Sequence, residues 1–338
     1  MEEVKKIIAD IKMKNFKPVY FLMGEETYYI DKITDYIADH VLTEEEKSFN
    51  QMVLYGKDVT IHDIVSHARR FPLMADHQVI IVKEAQDLIK TIDQFDAYFD
   101  AIQPTTILVF CYKYKTLDKR KKVYKSLQKH GLIFESKKLR DYQIEGWLKQ
   151  VLASKKYTID SKAAAMLVEF LGTDLNKIAN ELNKLQIILP SGTMITPDHI
   201  EENIGISKEF NNFELIKAIA EKNTTAAYKI AYYFSQNTKN NPFVLTMGLT
   251  YNYFSKLLQY HGMIYKNAQV NPKMIAGELK ISEYALKDYQ SGVRNYPMKT
   301  ASRNISYLRE FDLKSKGVGA TALPHYDLLS EMLAKIFN

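Results

Sequence analysis

The sequence predicts an α/β N-terminal domain with a mostly parallel sheet, then a small helical domain and an all-α C-terminal domain. Three observations carry this. Short apolar, β-branched runs alternate with helical patterns as far as about residue 135. The strand signal stops after about residue 138, and from residue 211 to the end only helical periodicity remains. At 338 residues the chain is also too long for one ordinary core. The expected domains are 1–140, 141–208 and 209–338.

Taken in order, residues 3–14 form an amphipathic helix with Val4, Ile7, Ile8 and Ile11 on one face. Pro18-Val19-Tyr20-Phe21-Leu22-Met23 is a first strand, ended by Gly24, and a helix follows over 28–41. Strand, glycine turn, helix is the opening of a nucleotide-binding α/β layer. Residues 49–55 read as a second strand, 61–70 as a helix, and 79–82 as a buried strand. A helix over 92–101, a strand over 105–111, a basic helix over 119–129 and a strand over 132–135 complete the domain. The helix at 142–154 carries the only tryptophan, Trp147. Asp160 and Asp174 cap the helices 161–171 and 175–189, with Gly172 between them, and Thr196-Pro197 opens a short third helix. Further helices are expected at about 211–222, 224–236, 241–265, 282–294, 297–316 and 324–337. Loops at Asn271-Pro272 and Lys316-Gly317-Val318-Gly319 separate some of them.

Composition is that of an ordinary globular chain, 46% hydrophobic and 25% charged. No apolar run approaches the roughly 18 residues a membrane span needs. The first residues are charged and lead into an amphipathic helix, unlike an export signal. One cysteine, Cys111, can form neither an internal disulfide nor a multi-cysteine metal site. A cytoplasmic location is expected. The net charge of +6 permits contact with nucleic acid without requiring it.

The motifs speak mostly against catalysis. A phosphate-binding loop needs several glycines and a lysine, so that backbone N–H groups and an ammonium surround the phosphates. The matching turn is Gly24-Glu25-Glu26-Thr27, with one glycine, two carboxylates and no lysine. The strand at 79–82 ends in Lys83-Glu84, where magnesium binding would call for an acidic pair. The eight histidines are scattered, and none forms a helical zinc motif with a nearby glutamate. No catalytic residues, no metal site and no cofactor are expected. Residues 113–125 hold seven basic residues and two tyrosines; Lys119, Arg120, Lys121 and Lys122 are candidates for contact with DNA or an acidic partner, or else a solvated helix face. Between the helix ending at Arg70 and the strand at 79–82 lies an apolar turn, Phe71-Pro72-Leu73-Met74. Such a turn either plugs a core or is offered to a partner.

An ordered set of segments resembles a known family. The set comprises Pro18-Val19-Tyr20-Phe21-Leu22-Met23-Gly24-Glu25-Glu26, Ala68-Arg69-Arg70-Phe71-Pro72-Leu73-Met74, Lys115-Thr116-Leu117-Asp118-Lys119-Arg120, Phe170-Leu171-Gly172-Thr173-Asp174-Leu175 and Glu310-Phe311-Asp312-Leu313-Lys314. Together they resemble the delta-subunit family of the bacterial DNA polymerase III clamp loader, over nearly the whole chain. The resemblance implies an AAA+-like parallel sheet with a degenerate nucleotide site, a helical lid domain and an all-α collar domain. It implies a subunit without ATPase motifs that binds the ring-shaped sliding clamp (the beta subunit) and opens it. Its partners would be the ATPase subunits of gamma/tau type, the delta-prime subunit, and primed DNA within the complex. The clamp-contacting pair of the family aligns with Leu73 and Met74, with Phe71 and Pro72 beside it; Met74 stands where an aromatic is usual. An active AAA+ ATPase and a stand-alone nucleic-acid-binding protein are the competing readings.

Overall fold

The structure is a computed structural model that describes residues 2–205, 207, 209–239, 241–266, 271–281, 284–318 and 324–338. It divides into two compact units, Met1–Leu139 and Arg140–Asn338.

The first unit is built on five parallel strands: β1 (Val19–Gly24), β2 (Gln51–Tyr55), β3 (Gln78–Lys83), β4 (Thr106–Lys113) and β5 (Leu132–Ser136). Their order across the sheet is β2-β3-β4-β1-β5. The register sets Val19 against Leu108 and Gln78 against Thr106. β1, β3 and β4 are buried along almost their whole length, as strands covered on both faces must be. On one face Phe21, Ile80, Leu108 and Phe110 join Ile61 and Ile64 in a single apolar cluster. Those two isoleucines belong to α4 (Ile61–Ala68), which follows α1 (Glu2–Lys12), α2 (Thr27–His40) and α3 (Glu44–Asn50). The parallel α/β architecture expected from the alternating pattern is the one observed.

Local details depart from expectation for identifiable reasons. Residues 44–50 form a helix, opened by a reciprocal capping box between Thr43 and Glu46, so Phe49 and Asn50 are not strand residues. Residues 92–98 form a 3₁₀ helix, with Gln94 N–H donating to Thr91 C=O at 2.9 Å. A stretch of Ile, Asp, Phe and Tyr has little propensity for a longer α-helix. The basic helix, α5 (Lys122–His130), begins after a turn closed by Lys121 N–H on Asp118 C=O.

In the second unit, α6 (Asp141–Ala153), α7 (Ser161–Leu171), α8 (Leu175–Ile188) and α9 (Pro197–Ile204) lie where expected. Asp160 accepts from the N–H groups of Lys162 and Ala163, and Asp174 from those of Asn176 and Lys177. Strand structure does not stop at 138: β6 (Thr158–Ile159) and β7 (Met194–Ile195) form a short parallel pair. The remaining helices are α10 (Asn212–Ala220), α11 (Thr224–Gln236), α12 (Phe243–Lys266), α13 (Pro272–Leu279), α14 (Leu286–Asn295), α15 (Met298–Ser315) and α16 (His325–Phe337). They bury Leu215, Phe234, Phe254, Phe311 and Met332 in one core. α13 is not among the expected helices; Pro272, expected in a loop, opens it at the first helical position, where a missing N–H costs nothing. The expected helix start at residues 282 and 283 and the loop residue Gly319 lie outside the described residues.

Candidate functional site

Two turns on opposite edges of the parallel sheet carry the functional question. At the C-terminal edge of β1, Gly24 has φ +124°, and a Cβ there would lie 2.1 Å from the Ser136 carbonyl oxygen. Glycine is therefore required by the close approach of β1 to β5. Three backbone donors around this turn are engaged within the chain. Gly24 N–H donates to Lys115 C=O at 3.0 Å, and Glu25 N–H to Ser136 C=O at 3.2 Å. Glu26, itself buried, accepts from Tyr28 N–H at 3.2 Å and so caps α2 with its own carboxylate. Thr27 begins the helix. Nearby, Lys113 faces Asp31 at 2.7 Å and Glu84 at 3.9 Å. A cation in this region of the sheet is thus matched by carboxylates of the chain itself.

At the opposite edge, before β3, the 71–74 turn is turned outward. Phe71 is 78% exposed, Leu73 58% and Met74 96%. Pro72 is half-buried and fixes φ within the turn. Met74 has φ +53°, a left-handed conformation that a side-chain-bearing residue adopts at a cost of about 1–2 kcal/mol. A turn that merely closed the core would hide these side chains; here three large apolar groups meet solvent together.

Buried polar side chains hold the turn at both ends. Before it, α4 ends without a glycine, and the Thr106 hydroxyl donates to Ala68 C=O at 2.7 Å. The Gln78 amide donates to Thr106 Oγ1 at 2.7 Å and to Arg70 C=O. After it, the Asn50 amide binds Leu73 twice. Oδ1 accepts from Leu73 N–H at 2.6 Å, and Nδ2 donates to Leu73 C=O at 2.9 Å. Nδ2 also reaches Glu46 C=O in α3 at 3.2 Å. The sequence reading gives Asn50, Gln78 and Thr106 no site role. The available signal was a lone amide or hydroxyl heading an apolar strand, a group that is expensive to bury unpaired. Phe49, next to Asn50 in the chain, is 75% exposed.

The basic segment has another character. Lys119 pairs with Glu135 (2.9 Å), Arg120 with Asp118 (2.7 Å), Lys121 with Asp93 (2.6 Å) and Lys122 with Asp96 (2.6 Å). Hydrogen bonds from the Arg120 side chain and backbone hold the Asp118 carboxyl down to about 2. With Lys113, five of the seven basic residues between 113 and 125 are ion-paired within the chain. Cys111 is buried beside Thr34 at 3.2 Å, and burial pushes its thiol up to about 11, out of the range of a nucleophile.

A parallel five-stranded α/β region with an outward apolar turn, followed by helical regions, is an architecture shared with a solved clamp-loader subunit. The family model for the delta subunit of DNA polymerase III matches residues 20–137, and the model for the C-terminal domain of that same subunit matches 209–329. The DNA polymerase III subunit delta of Bacillus subtilis (strain 168) is 26% identical over 329 residues, covering 90% of this chain and 94% of that protein. The solved structure of the Bacillus subtilis DNA clamp loader delta protein is similar with a TM-score of 0.55 and 25% identity, over 99% of both chains. The chain belongs to the DNA polymerase III delta-subunit family.

Proposed function

We propose that this chain grips the sliding clamp, the beta subunit, through Phe71, Pro72, Leu73 and Met74, and opens the ring for loading onto primed DNA. The observation that carries the reading is the outward display of Phe71, Leu73 and Met74 on a strained turn. A compact apolar cluster of this kind makes a hot spot when it enters a groove, and methionine adapts to the groove's shape. Opening needs no hydrolysis by this chain: a subunit that binds the open ring better than the closed one shifts that equilibrium by its differential affinity.

In this reading the chain is not an enzyme by itself and uses no cofactor. At the turn Gly24, Glu25, Glu26 and Thr27, the engaged N–H groups of Gly24, Glu25 and Tyr28 support a nucleotide-free role. Residues 141–208 act as the lid and 209–338 as the collar that joins gamma/tau-type and delta-prime-type subunits. The complex works at the replisome in the bacterial cytoplasm. Contact with DNA through Lys119, Arg120, Lys121 and Lys122 would exchange intrachain carboxylates for phosphates, and so adds little affinity.

The test is a Leu73→Ser/Met74→Ser double variant of the full chain, measured by surface plasmon resonance on immobilised clamp. We expect affinity to fall at least about 100-fold, because a hot-spot pair is lost. Undiminished binding, with melting unchanged, would overturn the reading.

A further inference from the structure

We infer that Asn50 is the positioning residue of the clamp-binding turn: its side-chain amide holds the turn in the bound shape before any partner arrives. The inference rests on the clamp-binding reading above and names how the turn achieves its affinity.

The geometry is specific. A primary amide offers two donors and one oxygen acceptor, and Asn50 uses both kinds on a single residue, Leu73. The two bonds close a ring between the Asn50 side chain and the Leu73 backbone, much as one strand residue pairs with another. Asn50 is itself buried and is tied to α3 through Glu46 C=O, so the ring is anchored to a folded element. On the other side of the turn, Gln78 and Thr106 fix the carbonyls of Ala68 and Arg70 to β3 and β4. A turn whose side chains are exposed has no packing of its own to define it. These amide and hydroxyl bonds take that role, and they leave the side chains of Phe71, Leu73 and Met74 exposed.

The consequence is kinetic as well as thermodynamic. If only a fraction of free molecules carries the binding-competent turn, the apparent dissociation constant rises by the inverse of that fraction. The loss then falls on the association rate, because once docked the turn makes the same contacts.

Asn50→Ala removes both bonds, and the near-isosteric Asn50→Leu removes them while keeping the volume. Val123→Ala, in α5, serves as a control that weakens the same unit without touching the turn. Each full-length variant is measured for clamp association and dissociation rates, for melting, and for deuterium uptake of peptides spanning residues 71–76 in the free protein. We expect each Asn50 variant to bind about tenfold more weakly, almost wholly through slower association, with faster exchange at Leu73. Val123→Ala lowers the melting temperature and changes neither. Unchanged binding in both Asn50 variants, or an equal weakening in Val123→Ala at a matched loss of melting temperature, overturns the inference; if Leu73→Ser/Met74→Ser still weakens binding about 100-fold, the clamp-binding reading stands. Full binding by Leu73→Ser/Met74→Ser overturns both.

Discussion

The Gly24 turn and the 71–74 turn sit on opposite edges of one parallel sheet and solve opposite problems. In the first, every named polar group is satisfied inward: Gly24 by Lys115, Glu25 by Ser136, and the N-terminus of α2 by Glu26. These three donors are spent within the chain. In the second, polar side chains from α3, β3 and β4 satisfy the backbone, and the apolar side chains are left over. The difference shows what decides whether a turn can take a ligand. It is which groups remain unused after folding, rather than where the turn lies on a sheet known for ligand binding.

Three substitutions can break or sharpen that contrast. The largest effect on stability belongs to Gly24→Ala. A methyl group placed 2.1 Å from the Ser136 carbonyl, at a φ of +124°, forces β1 and β5 apart. A loss of roughly 3 kcal/mol is expected in urea unfolding. A loss below about 0.5 kcal/mol would show that the turn is slack rather than closed. Next comes Glu26→Ala, which removes the cap of α2 and should cost about 1 kcal/mol. It should also leave calorimetric titration with ATP flat, since the Gly24 and Glu25 donors stay engaged; micromolar ATP binding by this variant would erase the distinction between the two turns. The smallest stability effect, and of opposite sign, is expected for Met74→Gly. Relief of the left-handed strain should raise stability by roughly 0.5 kcal/mol. Clamp affinity should fall about tenfold in the same variant, because the most exposed apolar side chain is gone. Stability and binding moving together would contradict a turn strained for use.

Much of this was legible in the residues. β1, β3 and β4 stood out because buried parallel strands are continuous apolar runs such as Val79-Ile80-Ile81-Val82. The caps Asp160, Asp174 and Thr196 announced their helices locally. The position of the apolar turn was legible too, but its exposure was not, because a sequence shows that Leu73 is apolar and not which side of the chain it faces. Contacts between distant residues were out of reach. Asn50 precedes Leu73 by 23 positions, and Ser136 follows Met23, its hydroxyl's acceptor, by 113. The pairing of the basic segment was out of reach for the same reason: its cations are local in sequence, while the carboxylates of Asp93, Asp96 and Glu135 that neutralise three of them come from other elements.

The left-handed backbone at Met74 has a consequence for mimicry. A linear peptide copying residues 71–74 would carry the side chains without Asn50, Gln78 and Thr106, and would sample the active shape rarely. A φ of +53° is the natural region of a residue of the opposite hand. A cyclised peptide with D-methionine at that position would adopt the geometry without strain and would do chemically what three buried side chains do in the folded chain.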